Sequence, residues 1–257
     1  TLAGILNVGG TATTTFTTMG GVNSAGVGNF DLTGVLAGAG SIEKIGAGTL
    51  FLNPSSTSGF TGTLRISTSA TGQQNSVRVS QASVGGTSIF GANTGANAAA
   101  AIDMNGGVLE FRNDGNLDFG SLSSGKNVYH RAGSTFFTGP AAGGAGISGV
   151  TTLGTFRLAA NTTATFNSRN GFGFTFGAWT QESTDNANTI TNNMGGTLTF
   201  TGNAWNNNNA SSRTLTIGGG GNTSITGSIT ASGTTKNLTK TGAGNLTIEG
   251  AGTTLTG

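Results

Sequence analysis

The chain has 257 residues, of which only 8% are charged, and its 11 basic and 9 acidic residues leave a formal net charge of +2. An ordinary globular domain carries about 25% charged residues. The arginines stand singly along the sequence, whereas a nucleic-acid surface needs clustered Lys and Arg, so we expect no nucleic-acid partner. Cysteine is absent, which excludes a thiol enzyme or a thiolate metal site. No stretch approaches the ~18 apolar residues of a membrane span.

Composition also bears on whether the chain folds. It contains 48 glycines and 2 prolines, and glycine at roughly 19% far exceeds its usual share of about 7%. A polar, uncharged mixture of this kind could be disordered, because it buries too little apolar surface to offset the entropy of ordering. However, Leu, Ile, Val and Phe recur in short alternating runs. We therefore expect an ordered chain.

The alternating runs predict β-strands. Each is about four to six residues long, has an apolar period of two, and is bounded by Gly, Asn or Ser. The apolar pairs, in chain order, are Leu50 and Leu52, Leu64 and Ile66, Val77 and Val79, Leu109 and Phe111, Phe156 and Leu158, Leu198 and Phe200, and Leu215 and Ile217.

Evidence for helix is confined to one segment. Residues 95–104, "GANAAAAIDM", could form a helical turn or a loop inserted in one coil. Elsewhere glycine interrupts every candidate helix, and Thr and other β-branched residues dominate. The sequence predicts an all-β fold.

An internal repeat indicates how the strands are arranged. The phrase "IEKIGAGTLFL" at 42–52 returns as "LTKTGAGNLTI" at 238–248. Composition alone could produce GAG twice, but not the flanking lysine and the two alternating apolar residues. Aligning Lys44 with Lys240 superimposes Gly46 on Gly242, Gly48 on Gly244, Leu50 on Leu246, and Leu52 on Ile248.

The repeat predicts a solenoid. Its glycines suit a tight turn or a close approach to a neighbouring chain, and the alternating apolar residues that follow point inward. One such unit cannot bury its apolar face alone, whereas stacked units can. With roughly 20–25 residues per coil, near the short end of known solenoid repeats, the chain would make about ten to thirteen coils.

The pattern resembles the autotransporter-associated β-strand repeat of bacterial surface and secreted proteins, passenger domains above all. The resemblance is carried by residues 40–67 and 236–257, about a fifth of the chain. It implies a right-handed parallel β-helix displayed outside the cell. It brings no catalytic residues, because the motif is a folding unit. Nothing in the sequence indicates a cofactor or a metal.

Four carboxylates form the densest acidic cluster, Asp103, Glu110, Asp114 and Asp118. Parallel β-helix lyases and hydrolases use carboxylates on one face as acid, base or metal ligands, so a glycan-active enzyme is one hypothesis. The alternative is that these are solvated turn residues, since N-D-G at 113–115 is a turn signal. Convergence of the four carboxylates in one groove would favour the enzyme.

Aromatic and histidine residues offer other candidates. The period of two at Phe172, Phe174 and Phe176 predicts an internal stack of rings, with a sugar-binding strip as the alternative. Trp179 and Trp205 have polar neighbours and, together with Tyr129, are candidates for contact with a surface glycan. His130, the one histidine, is expected to lie on the surface.

Residues 1–257 are thus expected to be a single solenoid unit, a segment of a longer solenoid or a subunit that stacks end to end. Joining "LTG" at the end to "TLAGI" at the start mimics "FTGTLRIS" at 60–67, so the partner expected beside a surface glycan is the chain itself, stacked end to end or laterally, with a filament as one outcome. The leading hypothesis is a non-enzymatic, extracellular structural or adhesive protein at the bacterial cell surface. A glycan-active enzyme and a glycan-binding module remain open.

Overall fold

The computed structural model of the protein describes residues 1–9, 13–17, 29–55, 60–68, 75–84, 87–90, 101–120, 126–181, 186–203, 212–229 and 236–251. The described residues contain no helix, and hence none long and apolar enough to cross a membrane. Their strands are short because glycine, asparagine and serine end each apolar run. The strands are β1 (Ile5–Asn7), β2 (Thr13–Thr17), β3 (Phe30–Leu32), β4 (Val35–Ala37), β5 (Ser41–Ile45), β6 (Gly48–Leu52), β7 (Leu64–Ser67), β8 (Asn75–Val79), β9 (Ser83–Val84), β10 (Thr87–Ser88), β11 (Ile102–Asn105), β12 (Val108–Arg112), β13 (Leu117–Asp118), β14 (Val128–Ala132), β15 (Ser134–Gly139), β16 (Ser148–Leu153), β17 (Phe156–Leu158), β18 (Thr163–Ser168), β19 (Gly171–Phe176), β20 (Trp179–Gln181), β21 (Asn186–Asn193), β22 (Leu198–Phe200), β23 (Arg213–Gly218), β24 (Thr223–Ile225), β25 (Lys236–Lys240) and β26 (Leu246–Ile248).

Three parallel sheets run side by side along the chain. The seven-stranded sheet has the order β2-β5-β7-β11-β14-β17-β20, the nine-stranded sheet β25-β23-β21-β18-β15-β12-β8-β6-β3, and the six-stranded sheet β13-β16-β19-β22-β24-β26. Successive turns of the chain add strands to two or three of these sheets, which is the architecture of a β-solenoid. A parallel pair β1-β4 and an antiparallel hairpin β9-β10 complete the described strands. The predicted all-β solenoid is confirmed.

The core lies between the sheets and is built by the predicted alternation. Both members of all seven apolar pairs are buried. The same inward positions repeat in register from coil to coil, so that Leu50 pairs with Val77, Val77 with Leu109, and Leu109 with Phe136. One stack of apolar side chains therefore runs the length of the rod, as a solenoid requires.

The predicted number of coils was too high. The solenoid makes about seven turns and its longest sheet has nine strands, not ten to thirteen. Contacts between neighbouring coils join residues that are 20 apart for Asn29 and Thr49 but 32 apart for Arg78 and Glu110. Loops inserted between strands lengthen many coils, and their polar sequence gives no periodic signal from which to count them.

The first copy of the repeat turns a corner between two sheets. It leaves the seven-stranded sheet at the end of β5 and enters the nine-stranded sheet at β6. Gly46 and Gly48 have φ of 77° and 93°, a left-handed conformation that favours glycine. Lys44 points inward, where its Nζ donates to the carbonyls of Ile45 (2.9 Å) and Gly46 (2.7 Å). The lysine thus binds the carbonyl groups of its own corner.

The second copy also turns a corner, but between a different pair of sheets. It joins β25 of the nine-stranded sheet to β26 of the six-stranded sheet. Lys240 Nζ again donates to the next two carbonyls, those of Thr241 and Gly242. The prediction that the motif is a coil-turning element is confirmed, but the two copies occupy different corners. The repeat is a corner module and not a whole coil.

For residues 95–104 the sequence left open a helical turn or an inserted loop, and the part that the structure describes is mainly a strand. Ile102–Asn105 is strand β11, and Ala101 is buried beside it. The apolar residues of β11 pair in register with β7 and β14 on either side. Residues 95–100 lie outside the described residues.

Candidate functional site

The outer face of the seven-stranded sheet carries a line of charged and aromatic side chains. In register across β5, β7, β11, β14 and β17 stand Glu43, Arg65, Asp103, Tyr129 and Arg157. Together with Arg131 these residues are termed the Tyr129 ladder. Stacking the coils thus gathers arginines that the sequence places far apart, which the sequence prediction of scattered arginines missed.

Arg131 joins the ladder from the same strand as Tyr129. Residues two apart on a strand share a face, so Arg131 lies beside Tyr129 and is exposed. The register between β11 and β14 pairs Met104 with His130 but Asn105 with Ala132, so Arg131 has no residue opposite it on β11.

Asp103 lies beneath two arginines. Its Oδ2 accepts from Arg65 Nε at 3.0 Å and its Oδ1 from Arg131 Nε at 2.8 Å. The carboxylate side chain is 4% exposed, whereas each arginine side chain is 41% exposed. Two charge-assisted bonds satisfy a nearly buried anion, and the surface above it presents guanidinium groups.

Tyr129 is covered by cations. The Cζ atoms of Arg131 and Arg157 lie 4.4 and 4.7 Å from the centroid of its ring. These distances are those of cation–π contacts. Of the three aromatic residues proposed to contact a ligand, Tyr129 is the one that the structure places, half-buried, on the outer surface.

A second line lies on the outer face of the nine-stranded sheet. It consists of Phe51, Arg78, Glu110, Arg112 and Phe137 and is termed the Glu110 ladder. Arg78 and Arg112 both contact Glu110 Oε2, at 3.0 and 3.2 Å. Their guanidinium groups also lie over Phe51 (4.9 Å) and Phe137 (4.1 Å) respectively. Both ladders therefore combine arginine, carboxylate and aromatic ring, but the arginines of this one are 27% and 22% exposed.

The four carboxylates of the acidic cluster do not converge. Asp103 lies on the seven-stranded sheet, Glu110 on the nine-stranded sheet and Asp118 on the six-stranded sheet, with Asp114 between β12 and β13. Asp114 Oδ1 accepts from the N–H groups of Ala141 and Gly146, and Asp118 Oδ1 from that of Gly120. Asp114 is the solvated turn residue that the alternative predicted, and Asp118 is exposed at the end of strand β13, whereas Asp103 and Glu110 belong to the ladders. No group of three metal-binding side chains occurs in the described part of the chain.

One of the predictions for aromatic residues is confirmed and another is wrong. The internal stack is confirmed, since Phe172, Phe174 and Phe176 are buried and Phe174 stacks on Phe176 with centroids 5.9 Å apart. The exposure predicted for Trp179 is wrong, because its ring is buried against Phe200. The polar neighbours of Trp179 suggested exposure, but successive residues of a strand point to opposite faces, so an outward polar neighbour is compatible with a buried ring. Trp205 lies outside the described residues.

His130 is buried, contrary to the surface position predicted for it. Its ring lies 6.2 and 6.0 Å from the rings of Phe136 and Phe156, and its Nδ1 is 3.1 Å from Thr162 Oγ1. Nε2 has no hydrogen-bond partner among the described residues. Burial lowers the pKa of His130 to about 4, against the opposing effect of hydrogen bonds with the backbone. The period of two shared with buried Val128 was the available signal for this position.

Lys44 is the buried residue that the sequence interpretation missed. Its Nζ gains a third acceptor, Asn75 Oδ1 at 2.7 Å, from the following coil. Asn75 in turn donates to the carbonyls of Lys44 and Ser67, so the pair joins two coils at the corner. Burial lowers the pKa of Lys44 to about 8. The period of two shared with Ile42 could have indicated the inward position.

Comparisons with known proteins give no further assignment. The chain matches no protein-family model, no curated protein and no solved structure. Any functional conclusion therefore depends on the fold, the corners and the ladders described above.

Proposed function

We propose that the chain is an extracellular structural and adhesive β-solenoid, a passenger, stalk or filament segment that extends by stacking coil on coil. The observation that carries the proposal is the difference between the two copies of the corner. The corner at Lys44 is completed by Asn75 from the next coil, whereas Lys240 has only the two carbonyls of its own corner among the described residues.

The strands at this end support the same conclusion. Within the described residues, β25 pairs only with β23 and β26 only with β24. Leu238, Leu246 and Ile248 are partly buried against the core, unlike the fully buried positions of the inner coils. An edge strand with free N–H and C=O groups templates further pairing. A further coil stacked on this end, for instance from a second copy of the chain, would pair with β25 and β26 and would supply a third acceptor to Lys240.

The low charge suits a displayed rod. With 8% charged residues, the solenoid is held by its apolar stack and strand ladders, which salt screens little. Asp103, Glu110 and Asp118 of the acidic cluster lie on three different sheets, so the cluster offers no paired-carboxylate geometry that would favour the enzyme hypothesis.

Electron microscopy of the purified chain over a range of concentrations tests the stacking. We expect rods that lengthen into fibres as concentration rises. Leu246→Lys places a charge on the inward side of the edge strand and should keep the rods short. Thr247→Lys, an exposed position on the same strand, is the matched control and should assemble normally. Wild-type rods of constant length at every concentration would refute stacking, and antibody labelling of intact producing cells tests surface display separately.

A further inference from the structure

We infer that the outer face of the seven-stranded sheet binds an extended polysaccharide bearing carboxylates, a polyuronate, along a cationic strip made of Arg65, Tyr129, Arg131 and Arg157. This inference rests on the proposed display of the rod outside the cell, and it adds a ligand class that the solenoid fold does not itself imply.

Charge is the first argument. The described part of this face has two acids: Asp103 is covered by its two arginines, and Glu43 lies at one end of the ladder, where its Oε1 accepts from Ser67 Oγ at 2.6 Å. Arg65 and Arg131 each donate from Nε to Asp103, and the side chain of each remains 41% exposed. A ligand approaching the face therefore meets guanidinium groups and almost no carboxylate. Its complement is an anion.

The spacing of the arginines gives the shape of that anion. Arg65 and Arg157 stand in register on β7 and β17, three strand spacings or about 14 Å apart across the sheet. Arg131 contacts both Asp103 and the ring of Tyr129, so its guanidinium group lies between the other two arginines. The three charges are therefore spread along the axis of the rod. A linear polymer with an anion on each unit fits this arrangement better than a compact ligand does.

Arginine geometry favours carboxylate as the anion. A guanidinium presents a planar fork that matches a carboxylate and is worth more there than a point charge. The strip already shows this chemistry, since Asp103 takes one Nε from each of two arginines. A polyuronate offers a planar carboxylate on every sugar.

Nucleic acid fits the strip less well. Proteins hold single strands mainly by stacking bases on exposed aromatic rings, but two guanidinium groups already lie over the ring of Tyr129. The phosphates of a duplex follow a helical path, whereas the arginines are spread along the axis of the rod. Polyuronate is therefore the ligand to test, with nucleic acid as the competing outcome.

The Glu110 ladder provides a matched control on the same molecule. Arg131→Gln with Arg157→Gln removes two charges from the cationic strip. Arg78→Gln with Arg112→Gln removes two charges from arginines that likewise contact a carboxylate and aromatic rings. The two double variants have the same net charge, so any difference between them reports the face and not the overall charge.

Calorimetric titration of the intact chain with a size-defined oligogalacturonate is the experiment, with a neutral glucan oligomer and single-stranded DNA as comparison ligands. We expect saturable binding of oligogalacturonate that weakens as salt rises, and no binding of the glucan. The strip double variant should lose roughly tenfold or more in affinity, and the control double variant should bind like wild type.

A second pair of variants covers the case in which the strip variant fails to fold. Thr180, which follows Arg157 in the register across the sheet, can be changed to Glu while every contact of the strip is kept. Thr180→Glu should weaken binding, whereas Asn193→Glu on the nine-stranded sheet should not. No binding by wild type, equal loss in both double variants, or tighter binding of DNA would each overturn the inference. Loss of binding with normal fibre assembly would leave the proposed rod intact.

Discussion

The two copies of the corner motif have nearly the same sequence but different surroundings. Lys44 is buried and donates to three acceptors, the third from the next coil. Lys240 is half-buried and donates to two. The motif therefore encodes a turn by itself, while its contribution to stability depends on whether another coil lies over it. The variants below test that difference.

Replacing the two lysines should give the largest contrast. Lys44→Met leaves the buried Oδ1 of Asn75 and two partly buried carbonyl oxygens without their donor. We expect this to lower the free energy of unfolding by about 4 kcal/mol, since an unsatisfied buried group costs about 1–3 kcal/mol. Lys240→Met should cost less than about 1 kcal/mol because water reaches its partners. Urea unfolding of both variants measures the difference. Equal losses would show that the following coil contributes nothing to the corner.

His130 extends the comparison to acid. It occupies the same inward column as Lys44, through Ile66 and Met104. Burial lowers the pKa of His130 from 6.5 to about 4. Between pH ~4 and ~6.5 the histidine is therefore protonated in the unfolded chain but neutral in the folded chain. Stability should therefore be full above pH ~6.5 and fall as pH drops toward ~4, by roughly 3 kcal/mol.

The variant His130→Gln isolates this effect from the titration of carboxylates. Its free energy of unfolding should depend less steeply on pH between about 6.5 and 4 than that of wild type. Unfolding by urea at a series of pH values gives both curves. Parallel curves for the two proteins would exclude His130 as the source of the acid sensitivity.

The central carboxylates of the two ladders also differ in burial, since the side chain of Asp103 is less exposed than that of Glu110. Asp103→Asn removes a nearly buried charge that two arginines share and should cost about 2 kcal/mol. Glu110→Gln acts at a site whose side chain is 15% exposed and should cost about 0.5–1 kcal/mol. Thermal unfolding of both variants at low and high salt ranks them. A larger loss for Glu110→Gln would mean that burial does not decide the strength of these pairs.

The corner glycines should show the smallest contrast between copies. Gly46→Ala and Gly242→Ala each force a non-glycine residue to a φ near +75°, at about 1–2 kcal/mol. In Gly242→Ala the new Cβ would also lie 2.4 Å from the carbonyl oxygen of Gly219. Both copies should therefore lose stability, unlike the lysines. A neutral Gly242→Ala, measured by its urea midpoint, would show that the last corner is not formed in solution.

Most of the fold could be predicted from local patterns. Alternation at pairs such as Leu50 and Leu52 requires only that one face be buried, and glycines in K-x-GAG require only that the chain turn. The coil number could not be predicted in this way, because loop lengths between coils vary without any periodic signal. Strand β11 at Ile102 was missed for a related reason, since its pairing partners, Leu64 and Val128, are distant in sequence.

The candidate sites were harder to predict than the fold. Polar side chains at inward positions, such as Lys44 and His130, look like surface residues when residue type is weighed above period. Trp179 was misjudged because its flanking residues were given the same weight. The Tyr129 and Glu110 ladders have no signal in a linear sequence, since neighbours such as Arg65 and Asp103 meet only through strand pairing.

The sequence by itself determined that this protein is an all-β solenoid with glycine corners and an apolar stack, because periodicity and backbone conformation are local properties. Tertiary structure alone decided which charges meet. Parallel stacking converts positions that are 20 to 38 residues apart into neighbours one strand spacing apart, and it buries a lysine and a histidine that each have a partner on another coil. The rod is thus specified locally, while the corner at Lys44 and the cationic strip arise only when the coils are assembled.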